Sequence, residues 1–201
     1  MARVLACLLA LLLLAGCASR PDHGASASRT VGGASYVSLL PDGRTVIFRG
    51  YVTYGTTKEL LRLVKENPQV MEVHLTSDGG YVQPALIVAN ALQLRGVTTF
   101  VPKECASACT LLFLGGAARY VAPGAKLGFH RAWRDRDKPD DPATNPTNEQ
   151  IRQRLLERGV SAAFAGRVVT TPADRLWYPS PEEMLAAGVI TSVLSQDALP
   201  R

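Results

Sequence analysis

An alternation of short β-rich segments with helical segments, between about residues 36 and 131, most constrains the fold of this chain. Two strand patterns, YVSLL and TVIFRGYV, precede an amphipathic helix in which Leu60, Leu61 and Val64 share one face. The order strand, helix, strand, helix and two short strands follows, in the segments QVMEVHLTS, VQPALIVANALQLR, VTTFV, SACTLLFLGGA, RYVA and KLGFH. This order predicts an α/β domain in which helices cover a mainly parallel sheet.

The last third of the chain begins with a charged, proline-rich segment, residues 131–150, which we expect to be an exposed loop or lid. A helix is expected from about residue 149 to 158. The stretch PSPEEMLAAG predicts a further helix, capped by Ser180 with Pro181 at its first position. The segment VITSVL predicts a closing strand.

The N-terminus has the pattern of a targeting segment. Arg3 precedes an apolar run, Val4 to Ala15, that is too short for a comfortable membrane span. The run ends in LAGC, which resembles the lipobox of bacterial lipoproteins. That resemblance implies a signal peptide at residues 1–16, acylation of Cys17, and, because Ala18 follows, anchoring to the outer membrane on its periplasmic side. The alternative is an ordinary secretory signal, cleaved at or near Ala18.

Residues 17–34 are rich in Ala, Ser and Gly without a hydrophobic period, which predicts a flexible tether. The folded domain is therefore expected over residues 35–201, a length that can bury a full core. The net charge is +5, but its basic residues are scattered. We therefore expect no nucleic-acid partner.

The stretch ECASACT places Ser107 between two cysteines at the expected start of a helix. A serine hydroxyl becomes a good nucleophile when a base takes its proton. The free N–H groups of a helix N-terminus also suit the negative oxygen of a tetrahedral intermediate. Ser107 is therefore a candidate nucleophile. The alternative is a structural role as the helix N-cap.

Two stretches, HLTSDGGYVQPALIVANAL and ECASACTLLFLGGAARYVAPGAKLGFH, together resemble the proteolytic subunit of the Clp protease and its relatives in the crotonase-type superfamily. The resemblance covers about residues 46–131 and 172–194, and it rests on the order and spacing of elements rather than on one motif. It implies a Clp protease/crotonase-like fold.

Carried over by position, the resemblance implies that Ser107 is the nucleophile and His130 the general base. The N–H groups of Gly80 and Ala108 would form the oxyanion hole. Asp78 stands where the family usually has proline, so that turn can differ here.

The third member of a catalytic triad does not align directly. In the stretch ADRLWYPSPEE, Leu176 takes the position of the family's acid. Asp174 lies two residues earlier and shares a face with position 176 in an extended strand, so it is the candidate that would orient His130. Without it the site is a Ser–His dyad.

A Ser–Lys dyad with Lys103 or Lys126 is a further alternative, as in signal peptide peptidases of the same superfamily. Cys105 and Cys109 lack the spacing of a zinc pair, and we expect no metal or other cofactor. An oxidising compartment favours a disulfide between them, whereas a regular helix would hold residues four apart too far from each other. The sequence therefore leaves both a disulfide and two free thiols as alternatives.

The resemblance implies an envelope-located serine hydrolase, a peptidase that cleaves a peptide or protein substrate through an acyl-enzyme. No ATPase partner is expected in an ATP-free periplasm, and a homo-oligomer is conceivable because Clp-type subunits form rings. The alternative function is a catalytically inactive, Clp-like lipoprotein that binds peptides.

Overall fold

The computed structural model describes residues 35–133 and 145–199. The predicted signal peptide, the predicted tether with Cys17, and most of the predicted loop at 131–150 lie outside the described residues. Within the described ranges, no helix is both long enough and apolar enough to cross a membrane.

The first half of the domain alternates strands and helices after an opening hairpin. Its elements are β1 (Tyr36–Leu39), β2 (Thr45–Arg49), α1 (Tyr54–Glu66), β3 (Glu72–Thr76), α2 (Val82–Arg95) and β4 (Thr98–Val101).

The second half carries shorter strands and four more helices. Its elements are β5 (Glu104–Ala106), α3 (Ala108–Leu114), β6 (Arg119–Val121), β7 (Lys126–Gly128), α4 (Pro146–Glu157), α5 (Ala162–Thr170), α6 (Pro181–Ala186) and β8 (Ser192–Val193).

The main sheet has the strand order β1-β2-β3-β4-β6-β8. Only the β1–β2 pair is antiparallel, and the other neighbours are parallel. The buried strands β3 and β4 are covered by helices, as a parallel sheet requires. The prediction of an α/β domain with a mainly parallel sheet is therefore confirmed.

A second, two-stranded sheet pairs β5 with β7 in parallel. Its register places Cys105 beside Leu127 and Ala106 beside Gly128. A single bridge between Ser77 and Cys105 joins it to the end of β3. This small sheet brings the end of β5 and the end of β7 to one place, next to the carboxyl end of β3.

Helix boundaries follow local capping. Helix α1 begins at Tyr54, because Thr53 and Thr56 form a reciprocal capping box. Helix α4 begins at Pro146 rather than near residue 149, because the Asn145 side chain caps it. The bounds of α2 are those of the predicted segment, and it ends at the left-handed Gly96.

Two elements were not predicted, β5 and α5, and the predicted closing strand VITSVL is reduced to the two residues of β8. The core lies between the main sheet and its helices. Its largest fully buried apolar side chains include Phe48, Leu60, Leu75, Leu92, Phe100, Leu112, Phe113 and Phe129.

Candidate active site

Ser107 lies at the sharp turn between β5 and α3. Its backbone has φ 54° and ψ −127°, and among the described residues it is the one residue other than glycine with a positive φ. Such a conformation costs on the order of 1–3 kcal/mol and persists where the surroundings enforce it. The Ser107 side chain makes no capping hydrogen bond to α3. The Ser107 hydroxyl is therefore not used to cap the helix and is available to another group.

The backbone of Ser107 is held from both sides. Its N–H donates to the carbonyl of Gly128 at 2.8 Å, which continues the register of the β5–β7 pair. Its carbonyl accepts two hydrogen bonds from Thr110, one from the backbone N–H at 2.9 Å and one from Oγ1 at 2.7 Å. These contacts fix the peptide planes on either side of the Ser107 Cα.

The SDGG turn after β3 packs directly against this serine. Gly79 has φ 106°, and a Cβ at this position would lie 2.6 Å from Ser107 Cβ and 3.0 Å from the backbone nitrogen of Ala108. No side chain fits that space, and an L-residue rarely adopts that φ. Glycine at position 79 therefore lets the SDGG turn contact the turn that carries the serine.

His130 comes two residues after the end of β7, and the β5–β7 register brings it to the serine. Its Nε2 lies 2.7 Å from Ser107 Oγ. Burial, the largest effect, lowers the pKa of His130 below its ordinary value of 6.5, while the backbone of Ala173 acts in the opposite direction. The imidazole is therefore neutral at pH 7 and can accept the serine proton.

The other nitrogen of this imidazole, Nδ1, is buried and has no hydrogen-bond partner of normal geometry among the described residues. The backbone carbonyl of Ala173 faces the ring closely enough to affect the pKa of His130. Because Nε2 faces Ser107 Oγ, a proton on Nδ1 would leave Nε2 as the acceptor. This is the tautomer that a general base requires.

The structure does not bring Asp174 to His130. The Asp174 side chain is 66% exposed, and its carboxylate lies 3.9 Å from Nε of the adjacent Arg175. The chain does not continue as the assumed extended strand here, because Arg175 N–H donates to the carbonyl of Pro172 and closes a turn. That turn directs the carboxylate outward. Leu176, at the position of the family's acid, is 40% exposed.

Two backbone N–H groups belong to the turns that meet at Ser107 and have no acceptor among the described residues. Ala108 is the first residue of α3, so its N–H has no acceptor within the helix. Gly80 forms a bridge with Val52, but the bridge uses the carbonyl of Gly79 and the N–H of Tyr81. Within the described part of the chain, the N–H groups of Gly80 and Ala108 are thus left without acceptors. Such a pair can stabilise a negatively charged oxygen.

The two lysine alternatives are not supported by the geometry. Lys103 is exposed, and the Lys126 ammonium lies over the Tyr178 ring, 5.8 Å from its centroid. Across residues 35–133 and 145–199, no cluster of His, Cys, Asp and Glu is arranged to hold a metal ion.

Cys105 and Cys109 form a disulfide with a Cα–Cα distance of 5.3 Å. The obstacle expected from a regular helix does not arise, because Cys105 belongs to β5 and only Cys109 belongs to α3. The sharp turn at Ser107 brings the two Cα atoms within the range that a disulfide spans. Both cysteines are fully buried.

An open groove leads to Ser107 and His130. The aromatic side chains Tyr51, Tyr54, Tyr81 and Trp133 line it, together with neutral residues, and none of the lining residues within 35–133 and 145–199 is Lys, Arg, Asp or Glu. Tyr54 and Tyr81 were not recognised from the sequence. Both stand at helix starts, Tyr54 as the first residue of α1 and Tyr81 as the N-cap of α2, and that position is the signal that could have found them.

A small apolar pocket opens beside the serine. Its walls include Ala108, Leu111, Phe129, Ile151, Leu155 and Val168. Its free volume is about 20 Å³, which is room for little more than one water molecule. A small apolar group fits this pocket, and a charged group would be poorly solvated in it.

No protein-family model matches the sequence, and no curated protein gives a significant match. The chemistry of the site is therefore the basis on which a function is assigned.

Proposed function

We propose that this protein is a serine hydrolase that cleaves a peptide substrate with a Ser107–His130 dyad. The observation that carries the proposal is the 2.7 Å hydrogen bond between Ser107 Oγ and His130 Nε2, formed by a serine at a positive-φ turn. A strained strand-to-helix turn that exposes a nucleophile, beside a neutral histidine, is the arrangement expected of such an enzyme.

The first half of the reaction forms an acyl-enzyme. Ser107 Oγ attacks the scissile carbonyl carbon while its proton passes to Nε2 of His130. The carbonyl oxygen becomes negatively charged and accepts hydrogen bonds from the N–H groups of Gly80 and Ala108. When the C–N bond breaks, the proton on Nε2 passes to the leaving amine.

The second half hydrolyses the acyl-enzyme. A water molecule takes the place of the departed amine and gives a proton to Nε2 of His130 as its oxygen attacks the ester carbon. The same two N–H groups stabilise the second tetrahedral intermediate. Collapse of this intermediate releases the carboxylic acid, and the proton returns to Ser107 Oγ.

Among the described residues, no carboxylate is hydrogen-bonded to the His130 ring, whose buried Nδ1 has no partner there. Loss of the orienting acid costs about four decades of kcat in other serine hydrolases. We therefore expect turnover that is slow and restricted to well-fitting substrates. The described residues of the groove carry no charged side chain, and together with the small apolar pocket they favour neutral peptide segments with a small apolar residue near the cleaved bond.

The wider context is part of the same proposal. The order of elements and the Ser–His pair support a Clp protease/crotonase-like fold for the domain. The LAGC motif supports acylation of Cys17 and attachment to the periplasmic side of the outer membrane. A homo-oligomer of the Clp type would be compatible with such a domain.

A second candidate function is peptide binding without turnover. The observation that favours it is the lack of a carboxylate partner for His130 among the described residues. Such a protein would keep the groove that binds peptides, but His130 would not accept the Ser107 proton efficiently.

A peptide-library digest separates the two functions. Full-length protein in detergent is incubated with the library, and products are read by mass spectrometry for the wild type, Ser107→Ala and His130→Ala. Cleavage that disappears in both variants supports the hydrolase. Peptides retained intact by all three proteins would support the binding function instead.

A further inference from the structure

We propose that the Cys105–Cys109 disulfide positions Ser107 for attack, so that the hydrolase is much faster in its oxidised form than in its reduced form. The inference rests on the proposed function, and it adds a requirement that the Ser–His pair alone does not impose.

The disulfide closes a ring of five residues with Ser107 at its centre. Cys105 is fixed on one side, because it pairs with Leu127 of β7 and bridges to Ser77. Cys109 is fixed on the other side, in the first turn of α3. The covalent bond therefore ties the end of the strand to the start of the helix directly across the turn that carries the nucleophile.

This turn needs such support because its backbone is unfavourable. Ser107 holds φ 54°, a value that residues with a Cβ rarely adopt. The hydrogen bonds from Ser107 N–H to Gly128 and from Thr110 to the Ser107 carbonyl oppose relaxation. If the crosslink is removed, the turn can relax toward negative φ, which moves Oγ away from Nε2 of His130.

The short length of the ring argues that positioning, rather than global stability, is its main effect. The unfolded-state entropy that a disulfide removes grows with the number of residues in the closed loop. A crosslink with a sequence separation of 4 closes a very short loop. A crosslink between distant segments would stabilise the folded state more. This one mainly constrains the conformation of the three residues between the cysteines.

Loss of the crosslink is a defined two-electron reduction. A small dithiol supplies two electrons and two protons and becomes a cyclic disulfide, while the Cys105 and Cys109 sulfurs become thiols. Cys105 and Cys109 are both 0% exposed, so the reductant reaches their sulfur atoms only when the turn opens. The inference is therefore better tested with cysteine variants, and with the oxidation state of the wild-type protein as isolated, than by brief reduction.

The first test uses Cys105→Ala/Cys109→Ala in the full-length protein. We expect labelling of Ser107 by a fluorophosphonate probe to slow about 100-fold, the loss typical of a roughly 1 Å misplacement, and kcat to fall with little change in KM. Each single alanine variant should match the double variant, because either one removes the crosslink. The matched control is Leu60→Ala, a fully buried position in α1, which should lower Tm without slowing labelling below Tm.

A second measurement uses only wild-type protein, so it can be made even if the cysteine variants do not fold. Wild-type protein is labelled with the probe, alkylated without reduction, and digested with trypsin, which cleaves after Lys103 and Arg119 and leaves all three residues on one peptide. We expect probe-labelled peptide to carry the disulfide. Probe-labelled peptide with two alkylated thiols would overturn the inference and leave the hydrolase proposal standing. Wild-type protein that takes no probe at all would overturn both.

Discussion

The Cβ that Gly79 lacks would lie 2.6 Å from the Cβ of Ser107. The SDGG turn and the turn that carries Ser107 are therefore in direct contact, and each limits the position of the other. The missing Cβ would also lie 3.0 Å from the Ala108 nitrogen, so the same contact limits the position of the start of α3.

Gly79→Ala is predicted to lower turnover about 100-fold. The added methyl group must displace either Ser107 or the neighbouring Ala108 nitrogen, and a shift of about 1 Å costs on the order of 100-fold in rate. The measurement is kcat/KM on a cleaved peptide at a temperature where the variant is folded.

Gly96→Ala is the matched control for this variant. Gly96 also has a positive φ, 66°, but nothing lies within 4 Å of its missing Cβ. It should lose roughly 1 kcal/mol of stability and no activity. Equal activity losses in the two variants would show that backbone strain, rather than the contact with Ser107, limits the enzyme.

Thr110→Val is predicted to lower kcat about tenfold, with little change in KM. The substitution keeps the shape of the side chain but removes the Oγ1 donor that holds the Ser107 carbonyl at 2.7 Å, a bond worth about 1 kcal/mol. Thr99→Val removes an equally short hydrogen bond, to the carbonyl of Phe113, away from the site. It should cost similar stability and leave kcat unchanged. A kcat unchanged in both variants would contradict a positioning role for Thr110.

Activity is predicted to rise with pH through a single ionisation that lies below pH 6.5. Burial disfavours the charged imidazolium and lowers the pKa of His130 from 6.5, and only the neutral ring accepts the Ser107 proton. The lowered pKa also means that the His130 contribution to stability is full above pH 6.5 and is lost as pH falls through the lower, folded-state value. The measurement is the pH profile of kcat/KM, and an acid limb centred above 6.5 would contradict it.

Asp174→Asn is predicted to change kcat by less than about twofold. The carboxylate is 66% exposed and points away from His130, so its charge is screened by water. An orienting acid would instead cost about four decades on the same substitution. Steady-state kinetics of this one variant therefore decide between a dyad and a triad.

The sequence was sufficient to predict the alternation of elements and the span of α2, because hydrophobic period and element order are local signals. The proximity of Ser107 and His130 was expected from the family resemblance rather than from the hydrophobic period. It was not sufficient for β5, whose three residues become a strand only through pairing with β7. Helix α5 was missed because its sequence, AAFAGRVVT, contains glycine and β-branched residues. Burial of Phe164, Ala165 and Val168 stabilises it, and this depends on tertiary packing.

The direction of Asp174 could not be predicted for a related reason. Residues two apart share a face only while the chain stays extended, and the hydrogen bond from Arg175 N–H to Pro172 closes a turn at that point. The positive φ of Ser107 likewise could not be predicted from the sequence, because the surrounding contacts impose it against the preference of a residue with a Cβ.

The most direct test of the central claim is the site and rate of fluorophosphonate labelling in wild-type protein and in His130→Ala. If Ser107 is a nucleophile activated by His130, the adduct lies on Ser107, and its rate of formation falls by at least about 10³-fold in the His130 variant. An adduct on another residue, labelling that survives Ser107→Ala, or equal rates with and without the imidazole would contradict the account.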